Sequence, residues 1–364
     1  MIFRKACYGR EMRNINVEIL RIICFIMVIA NHIISPGYVY NGEMVDIVCL
    51  WNIFNIVAVP CFLMITGYFL FDDKRYIDKV KKMFKGVILP FAISIILYII
   101  FFPWVAKEKG FFECFYLNKE NFLNAWEHLR NWDTSFSGCW HLWYIFAYIK
   151  VFLWYPVLRI ICKEGNLERV ARQWMIIICL GSLFMSNFQI LEPTLRLPSL
   201  YSFVDVNVMY IIVGYEFKNI TQRRPGKICL YGLGLFLVSS LMGYFGTRRL
   251  FSIHGEFQYT FYYSGSLFMA LASIGFFVFV MSLKITMPNK VGQIICKIGK
   301  NTFYAYLIQY FFIWPIRDFF RLCVRNAMVQ YMFTIVGTVI ITLILSSLLN
   351  QIREFCCRRG ANIK

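Results

Sequence analysis

Three ionisable side chains interrupt an apolar stretch that is long enough to cross a bilayer. Within NINVEILRIICFIMVIANHII, Asn14 to Ile34, they are Glu18, Arg21 and His32. Arg21 and His32 are eleven residues apart. At about 100° per residue, that spacing is three helical turns plus roughly 20°, so both project from one helix face about 16 Å apart along the axis. Glu18, three residues before Arg21, lies close to that face. An ionisable group in hydrocarbon costs about 2.5 to 3.5 kcal/mol on insertion scales, so the stripe is expected to face protein, water or a ligand. An imidazole exchanges protons near neutral pH, and a guanidinium is a fixed fork for phosphate or carbonyl oxygens. The plainer alternative lets Arg21 snorkel to the inner interface and leaves His32 among the outer headgroups.

Other candidates are less sharply placed. His141 is followed at helical spacing by Tyr144, Tyr148 and Tyr155, which would continue a polar line inward; otherwise it joins Trp140 and Trp143 in an interfacial aromatic belt. Lys150 lies about 180° round the helix from His141, on the side of Trp143 and Trp154, and is expected to meet another element. Asp205, Asn207 and Glu216 in a sixth apolar segment, and Thr302, Tyr306 and Gln309 in a ninth, fit either pore lining or interhelical hydrogen bonding. Gln309 can donate and accept hydrogen bonds but cannot titrate near neutrality. The cluster Lys74, Arg75, Lys79, Lys81, Lys82 and Lys85 suits anionic lipid, or the phosphates of a donor. Thirteen cysteines show neither CxxC nor Cys/His ligand spacing, so no metal site is expected.

The elements that must carry these groups are apolar helices. The 364 residues are 59% hydrophobic and 16% charged, which excludes an ordinary soluble domain. Segments near 15–34, 48–70, 84–105, 139–160, 172–189, 202–218, 228–246, 259–282, 295–316 and 328–349 predict an all-α polytopic integral membrane protein of about ten transmembrane helices. The fifth and sixth are short. Loops on one side carry 26 of the 38 Lys and Arg, those on the other carry 10, and Arg21 and Lys150 lie within segments. That asymmetry predicts both termini in the cytoplasm and explains the net charge of +18 as a topology signal, which argues against nucleic acid as a partner. No cleavage site follows the first segment, so it is expected to be retained. The layout is a basic cytoplasmic amino terminus 1–14, one transmembrane domain 15–350 with an outer loop 106–138, and a basic cytoplasmic tail 351–364. Phe111, Phe112, Phe115, Trp126 and Trp132 of that loop are expected to pack as a cap.

Arg21, ten intervening residues and His32 resemble the first-helix signature of the acyltransferase family 3 membrane proteins. VPCFLMITGYFLF (Val59 to Phe71) is similar to the family's second-helix pattern, with Thr66-Gly67-Tyr68 where Ser-Gly-Tyr is usual. CWHLWYIFAYIKVFLWYP (Cys139 to Pro156) is similar to its fourth-helix pattern, and MYIIVGYEF (Met209 to Phe217) and NTFYAYLIQYFFIW (Asn301 to Trp314) look like later helices. One departure is Gln309, where the family often has histidine.

The resemblance implies an enzyme of the cytoplasmic (inner) membrane. It would transfer an acyl group, most often acetyl, from acetyl-CoA or another acyl-CoA to a hydroxyl of a cell-surface or lipid-linked glycan. On that reading His32 and Arg21 are the catalytic pair, with His32 as base or transient acyl carrier and Arg21 holding the donor or fixing the pore through Glu18. Glu18, His141, Tyr144 and Gln309 are secondary binding or pore-lining candidates. The implied partners are acyl-CoA, the glycan acceptor, the lipid bilayer and components of a polysaccharide-assembly system. The rival classes are a secondary transporter, for which intramembrane Arg, Lys and His would be substrate or proton sites, and a structural subunit of a polysaccharide export system. The chain shows neither repeat halves nor matched Gly/Pro-broken helices, which argues against the transporter.

Overall fold

A computed structural model describes residues 14–34, 39–40, 42–71, 75–105, 119–136, 138–162, 165–191, 205–220, 225–263 and 265–361. The regular structure of these residues is helical, apart from a two-strand ribbon, Val39–Tyr40 with Glu43–Met44. Among the described residues six helices are long and apolar enough to cross a membrane, and the pair Cys139–Leu153 and Tyr155–Ile161 joins them if taken as one broken span. Each of the ten expected segments falls on a helix or on two consecutive helices, but length and apolarity qualify only these. The sixth and eighth segments yield helices of 15 and 16 residues, and the ninth breaks at Gln309.

The helices group into two compact units: Met1–Asp72 with Val151–Cys296, and Asp73–Lys150 with Lys297–Lys364. In the first unit, α1 (Ile15–Ile33) starts at an N-cap, where the Asn14 side chain accepts from the Asn16 amide at 3.0 Å. Next come α2 (Asp46–Ile56) and α3 (Ala58–Leu70), separated at Val57 because Pro60 has no amide to offer the Ile56 carbonyl. Of the helices that follow, α4–α7 lie wholly or mainly in the second unit, and α8 (Tyr155–Ile161), α9 (Asn166–Leu191), α10 (Val206–Ile220), α11 (Pro225–His254) and α12 (Leu267–Ser282) belong to the first.

Glycines set the closest crossing of the first unit. A Cβ on Gly67 of α3 would lie 2.7 Å from the Ile211 carbonyl carbon of α10, and a Cβ on Gly214 of α10 would lie 2.7 Å from the Met64 carbonyl carbon of α3. Only hydrogen fits at either place. Two of the stretches that carry the resemblance, around Thr66-Gly67-Tyr68 and Val213-Gly214-Tyr215, therefore meet backbone to backbone, as small-residue crossings in membranes do.

The second unit holds α4 (Tyr76–Met83), a π-helical turn (Phe84–Ile88), α5 (Leu89–Val105), α6 (Lys119–Arg130), most of α7 (Trp143–Leu153), the end of α13 (Asn289–Ile308), α14 (Tyr310–Cys323) and α15 (Ala327–Ala361). On α15, Thr334, Thr338, Thr342 and Ser346 recur every fourth residue and are fully buried, while Val336, Ile340, Ile344 and Leu348 are exposed. Hydroxyls turned inward and branched alkyl groups turned outward are the pattern of a helix solvated by lipid. Thr334 and Thr342 satisfy their hydroxyls on carbonyls one turn back, so the inward face carries few unpaired donors.

Of the outer-loop aromatics expected to form a cap, Phe111, Phe112 and Phe115 lie outside the described residues. Trp126 is 66% exposed, so it covers nothing. Trp132 packs at 5.4 Å on Phe146 and lies 5.8 Å from the Lys150 ammonium. That contact gives the Lys150 charge an aromatic partner.

Candidate active site

One group of candidate residues is built on α1, in the first unit. Measured round the helix from Arg21, Val28 lies at about 20°, Val17 and Phe25 at about 40° and Cys24 at about 60°. All four are at most 5% exposed, whereas Ile26, about 140° away, is 36% exposed. Arg21 and His32 thus project from the side of α1 that faces protein. Both nevertheless keep accessible surface: the Arg21 side chain is 27% exposed and His32 is half-buried.

The guanidinium is held in place. It donates to Glu18 Oε1 at 2.8 Å, with Glu18 only 3% exposed, and lies 5.9 Å from the Phe69 ring of α3. Glu18 fixes the fork from one side and the aromatic face supports it from another. The start of α1 is anchored by Asn16. Its buried amide nitrogen is shared among the carbonyls of Val280, Met281 and Leu283, at 3.0, 3.1 and 2.8 Å, where α12 runs out of amide donors. Asn14 also reaches the Tyr68 hydroxyl at 3.4 Å. The register of Arg21 is therefore set by polar contacts one turn and more before it.

A separate cluster, within the second unit, surrounds His141, which is 2% exposed and sits in a 3-10 turn, Cys139–Leu142, rather than on the helix that follows. Its Nδ1 donates to the Gly138 carbonyl at 3.0 Å, which leaves Nε2 to accept from the Tyr98 hydroxyl at 3.4 Å. Gly138 has φ +73°, and a Cβ there would come within 2.8 Å of the Phe102 ring, so both backbone conformation and space require glycine. Tyr310 stacks on the imidazole at 4.9 Å, Tyr306 donates to the His141 carbonyl, and Tyr144 meets Tyr306 edge-on at 6.2 Å. His141 is thus held at both ring nitrogens within an aromatic cluster. The expected line through Tyr148 to Tyr155 is cut, because α7 breaks at Trp154 before Pro156.

Gln309 is wholly buried at the break between α13 and α14, and neither atom of its carboxamide has a hydrogen-bond partner. Thr302 and Tyr306 are also buried, the former donating to the Gly299 carbonyl at 2.9 Å. Asp205 is an exposed cap that accepts from the Asn207 amide at 2.7 Å.

Sequence reasoning missed Arg172, which it had placed at a loop edge. The residue is 3% exposed, donates to Glu216 and to the Ile161 carbonyl at 2.6 Å, and lies 5.1 Å from the Tyr215 ring. The signal was Glu216 itself, since a carboxylate in an apolar segment calls for a cation. Tyr98 was missed too, because nothing local marks one tyrosine among 22 as the partner of a histidine. Among the described residues, no three His, Cys, Asp or Glu side chains converge as metal ligands do.

An arginine held beside a histidine on one protein-facing helix side can bind an oxyanion or polarised carbonyl and move a proton nearby. Comparison with curated proteins and with solved structures returns no match. The family model described as an acyltransferase domain matches residues 14–347, nearly the whole chain. The protein is therefore a multi-pass membrane protein that belongs to acyltransferase family 3.

Proposed function

We propose that this acyltransferase moves an acetyl group from cytoplasmic acetyl-CoA to a hydroxyl of a cell-surface or lipid-linked glycan across the cytoplasmic membrane. In this reading ten segments cross the bilayer, both termini are cytoplasmic, Arg21 lies in the inner half and His32 near the outer end. The observation that carries it is the pairing of Arg21 and His32 on the buried side of α1, each with accessible surface.

Arg21, oriented by Glu18, holds phosphate or pantetheine carbonyl oxygens of the donor. The flexible pantetheine arm spans the roughly 16 Å to His32. The imidazole takes the proton of the acceptor hydroxyl as its oxygen attacks the thioester carbonyl. A tetrahedral intermediate forms, the carbon–sulfur bond breaks, and the imidazolium returns the proton to the departing thiolate. The products are the O-acetyl ester and free thiol, and His32 ends neutral. His141, whose two ring nitrogens are already engaged, is not assigned this proton.

The test is transfer of labelled acetyl from acetyl-CoA to a glycan extract in proteoliposomes. His32→Ala should lower transfer about 10²- to 10⁴-fold, the range for losing a general base. Wild-type transfer by a normally inserted His32→Ala protein would remove His32 from the mechanism. Uptake of unmodified solute without acetyl transfer would replace the enzyme by a transporter.

A further inference from the structure

A cavity of about 420 Å³ opens beside the His141 cluster, lined by Phe102, Ser135, Phe136, Gly138 and Trp140. It belongs entirely to the second unit, and its size is typical of a small-molecule site, roughly 300 to 1,000 Å³. We propose that this cavity is the acceptor subsite and that it seats one pyranose ring of the glycan; the assignment of a glycan acceptor is taken from the function proposed above.

Aromatic walls and a polar rim argue for a sugar. Trp140 is 45% exposed yet held edge-on to Tyr310 at 4.8 Å, so a rigid indole is presented to the opening. Phe136 is buried behind it and packs at 5.7 Å on His128. The negative face of an aromatic ring attracts the C–H face of a pyranose, whose hydrogens are polarised by the ring and hydroxyl oxygens.

The hydroxyl edge of the sugar needs a polar partner, and Ser135 on the rim supplies one. Asp133, outside the lining, orients it, accepting from the Ser135 amide at 2.9 Å, from the Ser135 hydroxyl at 2.7 Å, and from His128 at 2.5 Å. The Ser135 oxygen, already donating, keeps its lone pairs for a sugar hydroxyl. Asp133 stays ionised far into acid, because the Ser135 hydroxyl and then His128 hold its carboxyl down to about 2. An acyl chain would leave this rim unpaired, which disfavours lipid as the occupant.

Trp140 also joins the cavity to the His141 cluster. It is the residue before His141 and touches both that ring, at 6.5 Å, and Tyr310, so a sugar stacked on it lies within one residue of the cluster.

The experiment uses the full chain in nanodiscs with methyl pyranosides of glucose, galactose and N-acetylglucosamine as probes, read by saturation-transfer NMR in the absence of donor. At least one should bind with a Kd of about 1 mM. Trp140→Leu and Ser135→Phe, the second a plug at an exposed position, should each weaken it about tenfold or more, whereas Trp140→Phe stays close to wild type. Coenzyme A binding should not change in any of them. Absence of pyranoside binding by wild type, indifference to the plug, or displacement of the sugar signal by a fatty acyl probe would each overturn the assignment. The two readings fail separately. Pyranoside binding with wild-type transfer by His32→Ala removes only the catalytic role, while loss of transfer in His32→Ala with plug-insensitive binding removes only this subsite.

Discussion

Gly67→Ala tests whether the α3–α10 crossing holds the catalytic helix in place. The new methyl would sit 2.7 Å from the Ile211 carbonyl carbon and 2.9 Å from its Cα, where ordinary contact begins at 3.4 Å. The Ile211 carbonyl oxygen lies closer still, and these obstacles are backbone atoms, which cannot rotate away, so the helices must part by about 1 Å or bend. A gap of about 0.5 to 1 Å forfeits a quarter to a half of each dispersion contact, and the crossing is lined by Leu63, Met64, Met209 and Tyr210, all buried. Overpacking of this kind costs about 1 to 3 kcal/mol, and the rigid obstacle argues for the upper half of that range. At about 2 to 4 °C per kcal/mol for a unit of this size, the midpoint in detergent should fall by about 4 to 12 °C. Acyl transfer should fall as well, because α3 carries Phe69 against the Arg21 guanidinium and Tyr68 against Asn14. Gly214→Ala meets the reciprocal obstacle and should match it. The double variant should cost less than the sum, since the first methyl opens the gap that the second needs. Gly181→Ala in α9 is the control: nothing lies within 4 Å of its new methyl, and the better helix former should hold or raise stability by about 0.5 to 1 kcal/mol. Equal midpoints for Gly67→Ala and wild type, or a strictly additive double variant, would refute the close crossing.

Three further outcomes are expected. Arg172→Ala or Glu216→Gln alone should cost about 3 to 5 kcal/mol by leaving a buried charge or carbonyl uncompensated, while Arg172→Met with Glu216→Leu recovers most of it in a thermal double-mutant cycle. The Asp133 carboxyl, held at about 2 by Ser135 and then His128, should titrate by carbon NMR well below its ordinary 3.8 and move up in Ser135→Ala. With the folded value depressed, the order it confers on its loop is full above 3.8 and fades as pH falls toward 2. Lys150→Met should keep acyl transfer within about twofold, because its ammonium serves an aromatic contact with Trp132 worth at most about 1 kcal/mol.

What the chain determined by itself is whatever depends on short range. Helical periodicity placed Arg21 and His32 on one face before any fold was known, because eleven residues make nearly whole turns in any α-helix. The apolar runs located the helices, since hydrocarbon tolerates a backbone only when it satisfies its own hydrogen bonds. Folding in three dimensions decided partners. That Glu216 meets Arg172, that Asn16 closes the end of α12, that Gly67 meets Ile211, and that Tyr98 and Gly138 occupy both nitrogens of His141 all join residues 43 or more positions apart, save the last. Spacing carries no information about such pairs, because the identity of a neighbour across a crossing depends on which ridges fit which grooves. Even the interrupted helices at Trp154 and Gln309 needed the fold: proline marks where a break is permitted, and packing chooses where it falls.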